Sequence, residues 1–162
     1  MNKTQFKAQV MANRAVRVDS DWDAGSEWMV ESARAVDNWL ADTNNDVDLP
    51  KLVASFDKLS IRDYVLGIMD KDNKTHVEQI NRLVSVVPAG IYAPACFQSL
   101  IAFESGDTKL ALIRLGVASE KYPLGKLLTR VYLAGWKPSA FTEMRTSLHP
   151  KVCEEIFGTV NA

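Results

Sequence analysis

The chain has 162 residues, 47% of them hydrophobic and 24% charged, with eight glycines, six prolines and a net charge of −1. That length suits one domain with one core, and that composition excludes the disordered and fibrous classes. The start, MNKTQFKAQVMANRAV, has no apolar block of signal-peptide length and no later apolar run approaches a membrane span, so the expectation is a cytoplasmic protein without membrane contact.

Alternation of period two is almost absent, whereas helical spacing recurs between Gly, Pro and Asn punctuation. The chain therefore reads as all-α: an irregular helical bundle of about eight or nine helices, forming a single domain over 1–162. Within it, 1–47 holds acidic N-terminal helices and 48–158 a helical core. Thr4 is the expected cap of a first helix to about Ala15, and a turn from Val18 to Gly25 follows. Over Ser26–Ala41, Trp28, Met29, Ala33, Val36, Trp39 and Leu40 fall near one stripe. TNNDVDLP reads as a loop, in which Asp48 caps a short helix with Pro50 in its first turn and Leu52, Val53 and Phe56 on its core face.

Ser60-Ile-Arg-Asp63 approximates a capping box and Thr75-His-Val-Glu78 is a full one, predicting helices over Ile61–Met69 and His76–Val86. Val77, Ile80, Val84 and Val87 mark the buried face of the second, and Pro88 and Gly90 end it. Further helices are expected over Ala93–Ser105, Thr108–Lys121, Leu124–Ala134, Ser139–Ser147 and Pro150–Phe157.

The stretch SGDTKLALIRLGVASEKYP, Ser105–Pro123, agrees with the second half of a tetratricopeptide unit: Gly106 at the turn, then Ala111, Leu115, Ala118 and Pro123 at its offsets. The preceding helix holds Ala95, Gln98, Ser99 and Ala102 where Trp, Leu, Gly and Tyr belong, and no second copy of the spacing occurs. One tetratricopeptide-like helix pair is expected, not a solenoid. The Thr108 helix has apolar residues on two faces, Ala111, Leu115 and Ala118 against Leu110, Ile113 and Val117, which predicts a place between neighbouring helices. An exposed recognition face would then come from the helix before it, on the side of Ala93, Cys96, Leu100 and Phe103.

LSIRDYVLGIMD, followed by VVPAGIYAPACFQSLIAFESGDTKLALIRLGVASEKYPLGKLLTRVYLAGWKPSAF, resembles the helical C-terminal part of a domain-of-unknown-function family from high-GC Gram-positive bacteria and their phages. Matching places are held by Arg62-Asp63, Pro88-Ala89-Gly90, Ala93-Pro94-Ala95, Gly106-Asp107, Ala111, Leu115, Ala118, Pro123, Leu124, Leu127, Leu128, Gly135 and Pro138. The resemblance covers about residues 52–141 and implies a helical fold. Members of the family carry in addition an N-terminal α/β domain and have no established activity. What the resemblance implies here is a stand-alone helical module, phage-encoded and acting on a host protein.

Chemistry is sparse. DSDWDAG, Asp19–Gly25, sets acids at alternate positions like a calcium loop, but Gly25 comes one place late and Val30 stands where a bidentate Glu belongs. A helix-capping acidic turn is the better reading. Cys96 and Cys153 belong to no CxxC pair and read as buried free thiols. His149 precedes Cys153 by four residues, too few ligands for a metal, and thiol catalysis would need a third, orienting group and a depressed thiol pKa. With no GxSxG, HExxH, Walker loop or GxGxxG, no enzyme activity, cofactor or metal is expected.

The charge is unevenly placed. Nine acids against Arg34 lie between Asp19 and Asp48, and eight bases against two acids between Thr108 and Lys151. Three of the four tryptophans, Trp22, Trp28 and Trp39, fall in the acidic stretch, with Trp22 in its turn. An acidic surface holding an aromatic anchor suits protein binding. The expected function is therefore non-catalytic protein interaction through Trp22, Asp19, Asp21, Asp23 and Glu27, with Phe103 and Leu100 as further contacts. Two alternatives accompany it. The basic half, Lys109, Arg114, Lys121, Lys126 and Arg130 with Tyr122, Tyr132 and Trp136, could bind single-stranded nucleic acid, although a pI near 6.1 is low for that class. Spare apolar faces could instead make a homo-oligomer.

Overall fold

A computed structural model of the chain describes residues 1–42 and 47–158, so the Thr43–Asp46 part of the expected loop lies outside the described residues. Every regular element among them is helical: eleven α-helical segments, one of them a single turn, and one short 3-10 turn, with no strand. No described helix is long and apolar enough to cross a membrane. The chain divides into two compact units, residues 1–68 with 146–162, and residues 69–145.

The first unit contains α1 (Lys3–Ala15), a 3-10 turn (Asp19–Trp22), α2 (Glu27–Ala41), α3 (Leu49–Ser55), α4 (Leu59–Ile68) and α11 (His149–Phe157). In α2, Met29, Ala33, Val36 and Leu40 follow the helical period and are all buried, with Trp28 and Trp39 beside them as expected. Ser26 caps that helix through a hydroxyl that accepts the Met29 N–H at 3.1 Å. Asp48 likewise caps α3 by accepting the Lys51 N–H, with Pro50 in the first turn and Leu52, Val53 and Phe56 buried.

In this unit two helix starts differ from expectation. Asn2, not Thr4, caps α1: its side chain accepts the Gln5 N–H at 2.8 Å while Gln5 accepts the Asn2 N–H at 3.0 Å, a complete capping box. In α4 the Ser60 box does not form, because Ser60 already lies inside the helix with its hydroxyl buried and unpartnered, and Asp63 pairs with Arg62 at 2.9 Å.

The second unit contains α5 (Lys74–Val86), α6 (Ala93–Glu104), α7 (Thr108–Leu115), α8 (Ala118–Lys121), α9 (Pro123–Leu133) and most of α10 (Pro138–Ser147). Asn73 caps α5 by accepting the His76 N–H, so the helix starts two residues before the Thr75 box would place it. On its core side Ile80, Leu83 and Val87 are buried, while Val77 and Val84 are only half-buried. The His76 imidazole accepts the Asp70 backbone N–H at 3.2 Å, and burial lowers its pKa against the opposing pull of Asp70.

α6 is the central helix: ten of its twelve residues are buried, and α5, α7 and α9 pack on it. It ends in a Schellman turn, with the Gly106 N–H donating to the Phe103 carbonyl and the Asp107 N–H to that of Ala102. Gly106 takes φ +91°, a conformation glycine adopts without the clash other residues meet. Asp107 then accepts the Leu110 N–H at 2.9 Å, so three residues both close α6 and open α7.

The single helix expected over Thr108–Lys121 is interrupted. Gly116, at φ +51° and ψ −130°, stops α7 and the chain restarts as the one-turn α8. The place predicted for α7 between neighbours on both sides is also overturned: Ala111, Leu115 and Ala118 are buried, but Ile113 and Val117 are 66% and 57% exposed. One apolar face packs and the other meets water.

α8 and α9 approach closely at Gly125, where an added Cβ would stand 2.0 Å from the Ala118 carbonyl oxygen. The obstacle is backbone, so Gly125→Ala is expected to lower stability by about 1–3 kcal/mol through overpacking. Urea unfolding followed by circular dichroism reads the change; a neutral result would mean that α8 moves freely.

Inside this unit the Glu104 and Arg145 side chains, 1% and 4% exposed, form an ion pair at 2.7 Å. Arg145 also donates to the Met69 carbonyl at 3.0 Å, and the Thr142 hydroxyl donates to Glu104. The unit's first and last residues, Met69 and Arg145, are thereby joined to each other and to the end of α6.

Candidate protein-interaction site

The acidic turn of the first unit is held from several sides. The Val18 N–H donates to the Asp21 carboxylate at 3.0 Å, and Arg17 approaches the same carboxylate to 4.0 Å. The Ser26 hydroxyl donates to the Asp21 carbonyl at 2.8 Å, and the Gly25 N–H donates to the Ile156 carbonyl of α11 at 2.7 Å. Asp21 is therefore engaged in holding the turn. Asp19, Asp23 and Glu27 are exposed and make no ion pair among the described residues.

Trp22 is half-buried. Its ring stands edge-on to Trp28, with centroids 4.7 Å apart at 70°, and the Lys58 ammonium lies 5.8 Å from its centre. The Arg17 guanidinium sits 4.9 Å over the Trp28 ring. Sequence spacing puts Trp22 in a turn, but it does not show the edge contact with Trp28 six residues on or the cation arriving from Lys58.

Leu100 and Phe103 do not join this surface. They are 0% and 1% exposed in the core of the second unit, as are Ala93 and Cys96 beside them, because α6 is covered on nearly every side. The expected recognition face of α6 is packing. Phe103 lies 4.5 Å from the Tyr132 ring and 6.5 Å from Phe141, centre to centre.

The basic half is only partly a surface. Lys109, Lys121, Lys126 and Arg130 are exposed and Arg114 is half-buried, whereas Arg145 is spent in the buried pair with Glu104. Of the three aromatic residues suited to base stacking, Tyr132 is core, its hydroxyl 3.0 Å from that of Ser99 and its pKa raised by burial. Tyr122 is half-buried against Tyr92 at 6.1 Å, and Trp136 is exposed.

The structure does bring Cys153 and His149 together, with Sγ 3.4 Å from Nε2 on successive turns of α11. The His149 ring lies against Gly67, where an added Cβ would be 2.1 Å from Nδ1, and 5.2 Å from the Tyr64 ring. Tyr64 donates to Asp37 at 2.9 Å and its pKa is raised, first by burial and then by that carboxylate. Burial, followed by Asp37, also pushes the Cys153 thiol up. A nucleophilic cysteine needs the opposite shift. Among the described residues no three His, Cys, Asp or Glu side chains gather as a metal site. A cleft of about 250 Å³ between α2 and α3 is lined by charges of both signs, Glu31, Arg34, Asp48 and Lys51.

No protein-family model, no curated protein and no solved structure matches this chain.

Proposed function

We propose that this protein is a non-catalytic helical interaction module whose recognition surface is the acidic turn together with the start of α2. The observation that carries this reading is the Trp22 ring, set edge-on to Trp28 in a turn whose exposed carboxylates, Asp19 and Asp23, together with Glu27 at the start of α2, make no ion pair among the described residues. A preformed aromatic anchor loses little conformational freedom on binding, and the carboxylates steer a basic partner toward it. The α6–α7 pair serves in this reading as tetratricopeptide-like scaffolding, since Leu100 and Phe103 of α6 and Ala111 and Leu115 of α7 are buried. Single-stranded nucleic acid remains the second reading, supported by exposed Lys109, Lys121, Lys126 and Arg130 and weakened by the burial of Tyr132.

Trp22→Ala combined with Asp19→Lys and Asp23→Lys tests the proposal. Partner capture from a host lysate should fall on the order of thirtyfold or more, the effect of losing an interfacial tryptophan worth about 2 kcal/mol. A variant that folds with the parental circular dichroism spectrum and captures the same partner undiminished removes the surface.

A further inference from the structure

The outward side of α9 carries Lys126, Leu127, Arg130 and Leu133, which fall within about 120° of one another around the helix. The chain then closes the helix with a second Schellman turn, in which the Gly135 N–H donates to the Tyr132 carbonyl and the Trp136 N–H to that of Val131. That turn adds Trp136 and Lys137 to the same end of the helix. Leu127, Leu133 and Trp136 are 42%, 72% and 42% exposed. Trp136 is steadied edge-on to Phe141 at 6.2 Å. Lys126, Arg130 and Lys137 make no ion pair among the described residues.

Exposed apolar groups gathered among unpaired cations mark a contact surface rather than a merely solvated helix. Leucines set between the bases suit a phosphate backbone poorly, because phosphates take the charge and leave the leucines wet. They suit a surface that offers carboxylates and apolar groups together. This chain carries such a surface: Asp19, Asp23 and Glu27 beside the rigid Trp22, with Val16 and Val18 exposed next to the turn. The complement extends to whole units. Nine bases and thirteen acids give the first unit −4, while ten bases and seven acids give the second +3. A total of −1 leaves almost no long-range repulsion between two copies.

We infer that the outer face of α9 docks the acidic Trp22 surface of a second copy of this chain, head to tail. The inference rests on the reading that the Trp22 surface binds protein, and it names that partner. A head-to-tail contact joins two different patches, so it closes into a ring or extends as an open chain, and association rises with concentration.

Sedimentation velocity of the full chain up to about 0.1 mM tests it. Association should appear at about 0.1 M salt, where screening acts over roughly 10 Å, and disappear near 1 M, where it acts over roughly 3 Å. Lys126→Glu with Arg130→Glu, and separately Asp19→Lys with Asp23→Lys, should each weaken association on the order of tenfold or more while leaving the circular dichroism spectrum unchanged. An equimolar mixture of the two variants should associate again, because each retains the patch that the other's native patch fits. A parental chain that stays monomeric at low salt, association indifferent to the α9 changes, or a mixture that stays monomeric overturns the inference. A monomeric chain that still captures a lysate protein through Trp22 overturns self-docking alone and leaves the interaction-module reading standing. Salt-sensitive retention of a single-stranded oligonucleotide through Lys126 and Arg130, without self-association, also overturns it and assigns α9 to nucleic acid.

Discussion

Arg145→Met should lower the stability of the second unit by about 3–5 kcal/mol, the usual effect of leaving one member of a buried ion pair without its counter-charge. The Glu104 carboxylate, 1% exposed, would lose its counter-charge and keep the Thr142 hydroxyl as a donor, and the Met69 carbonyl would lose the hydrogen bond that fixes the unit's first residue. The loss is large against the roughly 5–15 kcal/mol that holds a typical domain together. Adding Glu104→Leu removes the stranded charge, so the double variant should recover most of the loss. It should still fall short by about 1–3 kcal/mol, because the Met69 carbonyl stays unpaired. Urea unfolding, with amide exchange on α6 to localise the change, reads both variants against the parent. A double variant as unstable as Arg145→Met would show that the charge was not the cause.

Phe103→Ala should cost about 3–5 kcal/mol, the range for truncating a buried aromatic residue. Its ring is enclosed by Tyr132 and Phe141, and Tyr132 is tied in turn to the Ser99 hydroxyl, so the emptied space cannot close without breaking a buried hydrogen bond. A surface role for Phe103 predicts a different outcome, namely weakened partner capture at unchanged stability. Thermal unfolding and capture measured on the same sample separate the two. Parental stability with lost capture would return Phe103 to the interface.

The sequence was most informative where one local rule had no competitor. The α2 stripe, the Asp48 cap and Pro50 in the first turn of α3 each follow from spacing within a few residues. Cap positions failed where two competent residues stood close together. Asn2 and Asn73 took the starts of α1 and α5 from Thr4 and Thr75 because a side-chain carbonyl two residues upstream serves as well as a hydroxyl. The faces of α7 could not be ranked, since Ile113 and Ala111 are equally apolar in a pattern and only neighbouring helices decide which one packs. The Glu104–Arg145 pair was invisible because 41 residues separate the partners. For the same reason the count of eight bases between Thr108 and Lys151 includes Arg145, whose side chain is buried. At the candidate site the turn and its exposed carboxylates were legible, whereas the support given to Trp22 by Trp28, Lys58 and α11 is tertiary.

The most direct measurement is affinity capture of the tagged full chain from a lysate of its host, with nuclease-treated and untreated halves analysed side by side by mass spectrometry. The account predicts a protein recovered in near-stoichiometric amount from both halves, whether a host protein or further copies of this chain, and lost with the Trp22, Asp19 and Asp23 substitutions. Recovery of nucleic acid alone, or of proteins that disappear after nuclease treatment, would contradict it and move the function to the exposed bases of the second unit.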